Sequence, residues 1–96
     1  MFALCVHDTR INKITGLLER SNDFSYIVAQ AMKIYDTHYV DMWSDVVVFE
    51  CDENNQPDQH KMVGYVAYSL DPRTGFRTRI DPVFAMNPRY RKIYKM

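Results

Sequence analysis

Apolar residues along the chain fall into short runs separated by polar turns. Residues 2–7 form an apolar run of strand length, and the polar residues after it predict a turn. Residues 14–20 also fit a helical spacing, but Thr15 and Gly16 disfavour a helix interior. We therefore predict a second strand over residues 14–20 that forms a hairpin with the first.

The segment from Ser21 to Thr37 is predicted to form the single helix. Ser21 is a suitable N-cap, and Asp23 suits the positive end of the helix dipole. Apolar residues recur at the three- and four-residue spacing of a buried stripe. The stripe consists of Phe24, Ile27, Val28, Ala31, Ile34 and Tyr35.

The second half of the chain has the pattern of strands. Residues 45–51 and 61–70 are rich in β-branched and aromatic residues, and residues 76–80 alternate strictly after a DPRTG turn. Residues 80–88 contain two prolines and are expected to be extended or turning.

These elements predict an α+β fold. One helix cannot bury its stripe alone, so we expect a two-layer sandwich with the helix on an antiparallel sheet of about five strands. The predicted order is β-β-α-β-β-β. The 96 residues form a single domain, residues 1–96, which ends in a basic and aromatic C-terminal tail at residues 85–96.

The strand at residues 45–51 is apolar on both faces. We expect Val47, Phe49 and Cys51 to face the helix, so that Val46 and Val48 point the other way. A second apolar face on an antiparallel sheet needs a cover. Residues 82–86 are one candidate and a second copy, forming a homodimer, is another. A central strand in a well-covered fold is the simpler explanation.

Composition indicates a folded protein in a reducing compartment. The chain is 47% apolar with zero formal net charge, which disfavours disorder. Cys5 and Cys51 lie in predicted strands and are expected to be free thiols. The N-terminus lacks the pattern of a signal peptide, and no window approaches the roughly 18 apolar residues of a membrane span. We expect a cytoplasmic protein with no membrane contact.

No arrangement of residues predicts catalysis, a metal site or a cofactor. His7, His38 and His60 form no close pair, and the glycines are isolated rather than grouped in a phosphate-binding loop. Cys51 with the nearby acids and His60 lacks the paired spacing of zinc ligands. The expectation is a protein that is not an enzyme.

Charge is segregated along the chain. Residues 34–60 contain seven acidic residues and no Lys or Arg, whereas residues 73–96 contain seven basic residues and one acid. One explanation is internal, with the two segments screening each other in weak exposed pairs. The other is a surface that meets a partner of opposite charge. The sequence supports both explanations equally.

The basic C-terminal region is the predicted partner-binding site. Tyrosine and arginine are enriched in protein interfaces, and the same mixture suits single-stranded nucleic acid. The zero net charge and the acidic segment favour a protein partner. The predicted residues are Arg77, Arg79, Arg89, Tyr90, Arg91, Lys92, Tyr94 and Lys95.

The order of elements in residues 1–51 resembles a group of small uncharacterised proteins common in bacteriophage genomes. The resemblance lies in an apolar N-terminal strand, a turn and the sequence KITGLLERSNDFSYIVAQAMKIY. It implies an accessory gene product that binds a host protein, and it supplies no site residues. The resulting hypothesis is a non-enzymatic binding protein of the phage-inhibitor type. The alternative is a small nucleic-acid-binding regulator that uses the basic C-terminal strand and tail.

Overall fold

A computed structural model describes residues 1–37, 44–67, 83–91 and 93. Within these residues, one helix packs against an open antiparallel sheet of five strands, which confirms the predicted α+β class. The elements are β1 (Phe2–Asp8), β2 (Lys13–Ser21), α1 (Phe24–Thr37), β3 (Ser44–Cys51), β4 (Pro57–Ala67), β5 (Val83–Met86) and a 3-10 helix at Pro88–Tyr90.

The order of the strands across the sheet differs from their order along the chain. Across the sheet the order is β2-β1-β3-β4-β5, so β1 lies between β2 and β3. Phe2 pairs with Ser21 on one side and with Glu50 on the other. The predicted hairpin of β1 and β2 is confirmed, but the chain passes through α1 to reach the far side of β1 rather than continuing beside β2.

In the part of the chain that the structure describes, the fifth strand is β5 at Val83–Met86. The prediction at residues 76–80 lies outside the described residues. The strand next to β4 is β5, within the segment that was expected to be extended or turning. Pro82 and Pro88 flank it, and proline is compatible with a short edge strand of this kind. β4 also begins at Pro57, earlier than predicted.

The helix begins after Asp23 rather than at Ser21. The Asp23 carboxylate accepts a hydrogen bond from the Tyr26 backbone N–H at 3.1 Å, which is the geometry of an N-cap. The Ser21 hydroxyl oxygen instead accepts from the Asp23 N–H at 3.0 Å. Ser21 therefore ends β2 and shapes the turn, while Asp23 caps α1.

The two faces of β3 are the reverse of the predicted arrangement. Val46 and Val48 belong to the cluster beneath α1, whereas Val47 and Phe49 belong to a cluster on the opposite face. The buried members of the helix-side cluster are Phe2, Leu4, Ile27, Val28, Ala31, Val46, Val48, Val63, Val66, Phe84 and Tyr90. Alternation fixed which residues share a face, but not which face carries the helix.

The second apolar face of the sheet is buried within one copy of the chain. Val47 and Phe49 are each 3% exposed, and they cluster with the fully buried Ala3 and Cys5. Residues 82–86 were proposed as the cover, but Phe84 packs on the helix side and β5 extends the sheet instead. This face therefore gives no reason to invoke a second copy.

Candidate protein-binding surface

The C-terminal segment is attached to β4 through Asn87. The Asn87 backbone N–H donates to Val63 O at 2.8 Å, and its side-chain Nδ2 donates to Met62 O at 2.8 Å. The side-chain oxygen accepts from the Arg89 N–H at 3.2 Å and so caps the 3-10 helix. Pro88 at the first helical position favours the turn, because its fixed φ suits a helix start.

Tyr90 anchors the same segment in the core. It is 7% exposed and belongs to the helix-side cluster. Its hydroxyl donates to the Glu50 carboxylate at 3.2 Å, which joins the C-terminal segment to the end of β3. A buried tyrosine with a satisfied hydroxyl combines apolar burial with a fixed orientation. The backbone on either side of Tyr90 is held in place as a result.

Two arginines next to Tyr90 face solvent. Arg89 and Arg91 are both exposed, and the Arg91 N–H donates to Pro88 O at 3.3 Å within the turn. Ile93 is 66% exposed, and its N–H donates to Tyr90 O at 3.0 Å. Two guanidinium groups and one apolar side chain are therefore presented on a segment held at Asn87 and Tyr90. We call the surface formed by Arg89, Arg91 and Ile93 the basic turn.

Three of the predicted partner-binding residues lie in the described part of the chain. Arg89, Tyr90 and Arg91 are brought together in one turn, with the tyrosine ring in the core rather than on the surface. The other predicted residues, Arg77, Arg79, Lys92, Tyr94 and Lys95, lie outside the described residues.

β2 carries an exposed apolar surface that was not predicted from the sequence. Leu17 is 40% exposed and Leu18 is 42% exposed, in the strand at one edge of the sheet. Ile11, in the turn before β2, is exposed as well. The apolar pair at residues 17 and 18 breaks the alternation of a half-buried strand, and this feature of the sequence is what would have identified the surface.

The turn between β1 and β2 is held by polar side chains. The Arg10 guanidinium donates to the Asp8 carboxylate at 3.1 Å, and this hydrogen bond lowers the pKa of Asp8 below its ordinary value of 3.8. Asn12, at φ 52°, bonds to the His7 ring at 3.0 Å. The Gln59 amide donates to the Asn12 carbonyl at 3.0 Å. These contacts shape the turn and bring no nucleophile to a base.

The acidic loop after β3 also uses its side chains for local structure. Asp52 Oδ1 accepts from the Asn54 N–H at 2.8 Å and from the Gln56 N–H at 3.0 Å. Arg20 donates to the Asn55 carbonyl at 2.8 Å from β2. Across the described ranges, no group of three or more His, Cys, Asp or Glu residues is placed to hold a metal ion.

Both cysteines in the structure are free thiols, as predicted. Burial raises the pKa of the Cys5 thiol to about 12, and burial also raises the pKa of Cys51. Cys5 pairs with Val47, and Cys51 is four positions further along β3, where it pairs with Pro57. That is about 13 Å along a strand, beyond the reach of a disulfide.

None of the helical segments in the described ranges has the length and apolarity needed to span a bilayer. Comparison of the chain with protein-family models, with curated proteins and with solved structures found no match. The resemblance of residues 1–51 to bacteriophage proteins therefore stays an expectation from the pattern of the sequence.

Proposed function

We propose that this chain is a small non-enzymatic binding protein that acts on a protein partner through the basic turn. The observation that carries the proposal is the burial of Tyr90 between two exposed arginines. The tyrosine holds the turn on the sheet through its hydrogen bond to Glu50. Because the backbone is already ordered, binding loses less conformational entropy than it would with a free tail.

The chemistry of the turn suits an acidic protein surface. Arginine presents a planar fork of donors that matches carboxylates, and it is enriched at the energetic centres of interfaces. Ile93 adds an exposed apolar contact beside the charges. The charged side chains at the rim would mainly raise the association rate.

The position of Tyr90 favours a protein over single-stranded nucleic acid. Single-strand binders stack bases on exposed aromatic rings. The Tyr90 ring packs in the core and is unavailable for stacking in this conformation. The chain also has zero formal net charge, whereas nucleic-acid-binding domains are usually basic.

The biological role follows from the resemblance noted above. It implies an accessory protein of bacteriophage type that inhibits or modulates a protein of the host bacterium. The proposed target surface is acidic, which complements the basic turn.

Affinity capture from a lysate of the host bacterium tests the proposal. The tagged chain is incubated with lysate, with and without nuclease treatment, and bound material is quantified. We expect a stoichiometric protein partner that survives nuclease. Recovery of nucleic acid alone would overturn the proposal and favour the regulator alternative, for which salt-sensitive binding to a single-stranded oligonucleotide is the expected property.

A further inference from the structure

The edge strand β2 leaves one side of its backbone unpaired by any described strand. β2 lies at the end of the sheet and pairs there with β1. It has 9 residues, whereas β5 at the opposite edge has 4. A long edge strand presents a row of backbone N–H and C=O groups to which a further strand can pair.

Two extra residues in β2 determine which side chains share a face. Thr15 and Leu18 have no partner in the register with β1, so the pairing shifts at each of them. Leu4 lies in the helix-side cluster, and its partner Glu19 accepts a hydrogen bond from the helix residue Tyr26 at 2.6 Å. The residues of β2 that share this helix-bearing face are Lys13, Gly16, Glu19 and Ser21, opposite Asp8, Val6, Leu4 and Phe2.

The described part of the fold gives no packing reason for glycine at position 16. Among the described residues, a Cβ added there would meet only Val6 Cβ, at the ordinary contact distance of 3.9 Å. Gly64 differs, because a Cβ there would lie 2.6 Å from the Phe84 ring and 2.7 Å from Ala85 O. A glycine in a strand often marks a bulge or the close approach of another backbone. Gly16 lies within the exposed edge, one residue before the middle of β2, where such an approach would take place.

We propose that β2 pairs antiparallel with β2 of a second copy of this chain, about a twofold axis at Gly16. Lys13 then lies opposite Glu19 of the partner subunit, and the symmetry repeats this charge pair. Ile14 lies opposite Leu18 of the partner subunit. The axis is perpendicular to the sheet, so the two sheets join edge to edge with the α1 helix of each copy on the same face.

The charges of β2 favour the register with the axis at Gly16, and they favour a second copy of the chain as the binding partner. Moving the axis to the midpoint of Gly16 and Leu17 would place Lys13 opposite Arg20 of the partner subunit, and like charges opposite each other are destabilising. Moving it to Leu17 would place Lys13 opposite Ser21 of the partner subunit and lose the charge pair. Of these three registers, only the one with the axis at Gly16 makes the strand complementary to itself in charge, which favours a second copy over an unrelated strand.

The bulges at Thr15 and Leu18 limit the strength of the pairing. Bulges at an edge interrupt regular hydrogen bonding to a further strand. The exposed side chains of Leu17 and Leu18 add apolar surface near the axis. We therefore expect a reversible dimer whose population depends on protein concentration.

Sedimentation equilibrium of four variants tests the charge pairing. The wild type is compared with Lys13→Glu, Glu19→Lys, the double exchange Lys13→Glu/Glu19→Lys and the control Lys61→Glu. Each single change at the interface makes both cross-strand pairs repulsive, so dimer dissociation constants should rise by about tenfold or more. The double exchange should restore dimerisation, and Lys61→Glu, with the same change of net charge as Lys13→Glu, should leave it unaffected.

Hydrogen exchange on the wild type provides a second measurement that needs no variant. Amides of residues 13–19 should gain protection as concentration rises, while those of β5 should not. A wild type that sediments as a monomer at high micromolar concentration would overturn the proposal. Dimerisation with equal affinity in all variants, or without added protection in β2, would overturn it as well.

Discussion

At the scale of single residues, Tyr90 shows that composition alone does not predict which side chains of a segment are buried. The sequence RYRKIYK mixes cations with aromatic residues, and every member looks suited to a surface. Asn87 and Pro88 set the turn that directs the Tyr90 ring into the core and leaves its two neighbours exposed. The direction of the Tyr90 side chain depends on where β5 ends and on how the turn packs against β3. Neither was available from local pattern.

The hydroxyl of Tyr90 is expected to contribute to stability. Tyr90→Phe removes the hydrogen bond to Glu50 and should lower the free energy of unfolding by about 1 kcal/mol. Tyr90→Ala also removes core packing and should cost about 3 kcal/mol. Urea denaturation measures both values. Tyr65→Phe is the matched control, because Tyr65 is 39% exposed and its change should have little effect. Equal stability of Tyr90→Phe and the wild type would show that the hydrogen bond is not formed in solution.

The charge of Asp8 should make stability depend on pH. The Arg10 hydrogen bond lowers the pKa of Asp8 in the folded state below the ordinary 3.8, so folding favours the ionised carboxylate. Its contribution is present above the unfolded pKa and is lost as pH falls through the folded pKa. Asp8→Asn should therefore be less stable than the wild type at neutral pH, and the difference should shrink in acid.

Denaturation as a function of pH measures the Asp8 effect. Glu53→Gln removes an exposed carboxylate from the acidic loop and serves as the control. Its stability relative to the wild type is measured across the same range. A difference between Asp8→Asn and the wild type that stays constant into acid would contradict the expected role of the charge.

At the scale of elements, the spacing of apolar residues predicted whether a segment forms a helix or a strand better than it predicted which face of a strand the helix covers. The helical spacing of Ile14, Leu17 and Leu18 competed with a strand, and the structure shows a strand. The bulges explain the ambiguity, because they place residues 14 and 17 on one face at a spacing of three. In β3 both faces are apolar, so only the position of the helix distinguishes them. That position depends on the strand order, which the sequence did not provide.

Burial of the helix stripe gives a prediction at this scale. Ile27 is fully buried on the face of α1 that packs against the sheet. Ile27→Asp should unfold the domain because it buries an unpaired carboxylate. Circular dichroism and thermal melting would detect the loss. Ser25→Asp, on the exposed side of the same helix, should retain most of the wild-type stability. A folded Ile27→Asp variant with an unchanged melting temperature would show that Ile27 does not lie on the buried face of α1.

At the scale of the whole molecule, the class of the fold was predictable from the sequence, whereas the order of the strands across the sheet was not. One amphipathic helix among short strands has few ways to bury its stripe, so the α+β class follows from pattern. Strand order depends on contacts distant along the chain, and β1 pairs with both β2 and β3. The candidate site was predicted as a basic region. The contact of Tyr90 with Glu50 also places part of that region beside part of the acidic one.

The proposed function requires that the exposed arginines of the basic turn bind a protein partner. The most direct test compares capture by the wild type with capture by Arg89→Ser/Arg91→Ser and by a control, Lys33→Ser/Lys61→Ser, which has the same change of net charge. All three proteins are first shown to have similar melting temperatures. We predict a nuclease-resistant protein partner bound by the wild type and the control, and strongly reduced with the arginine variant. Equal capture by all three, or loss of the bound material on nuclease treatment, would contradict the proposed function.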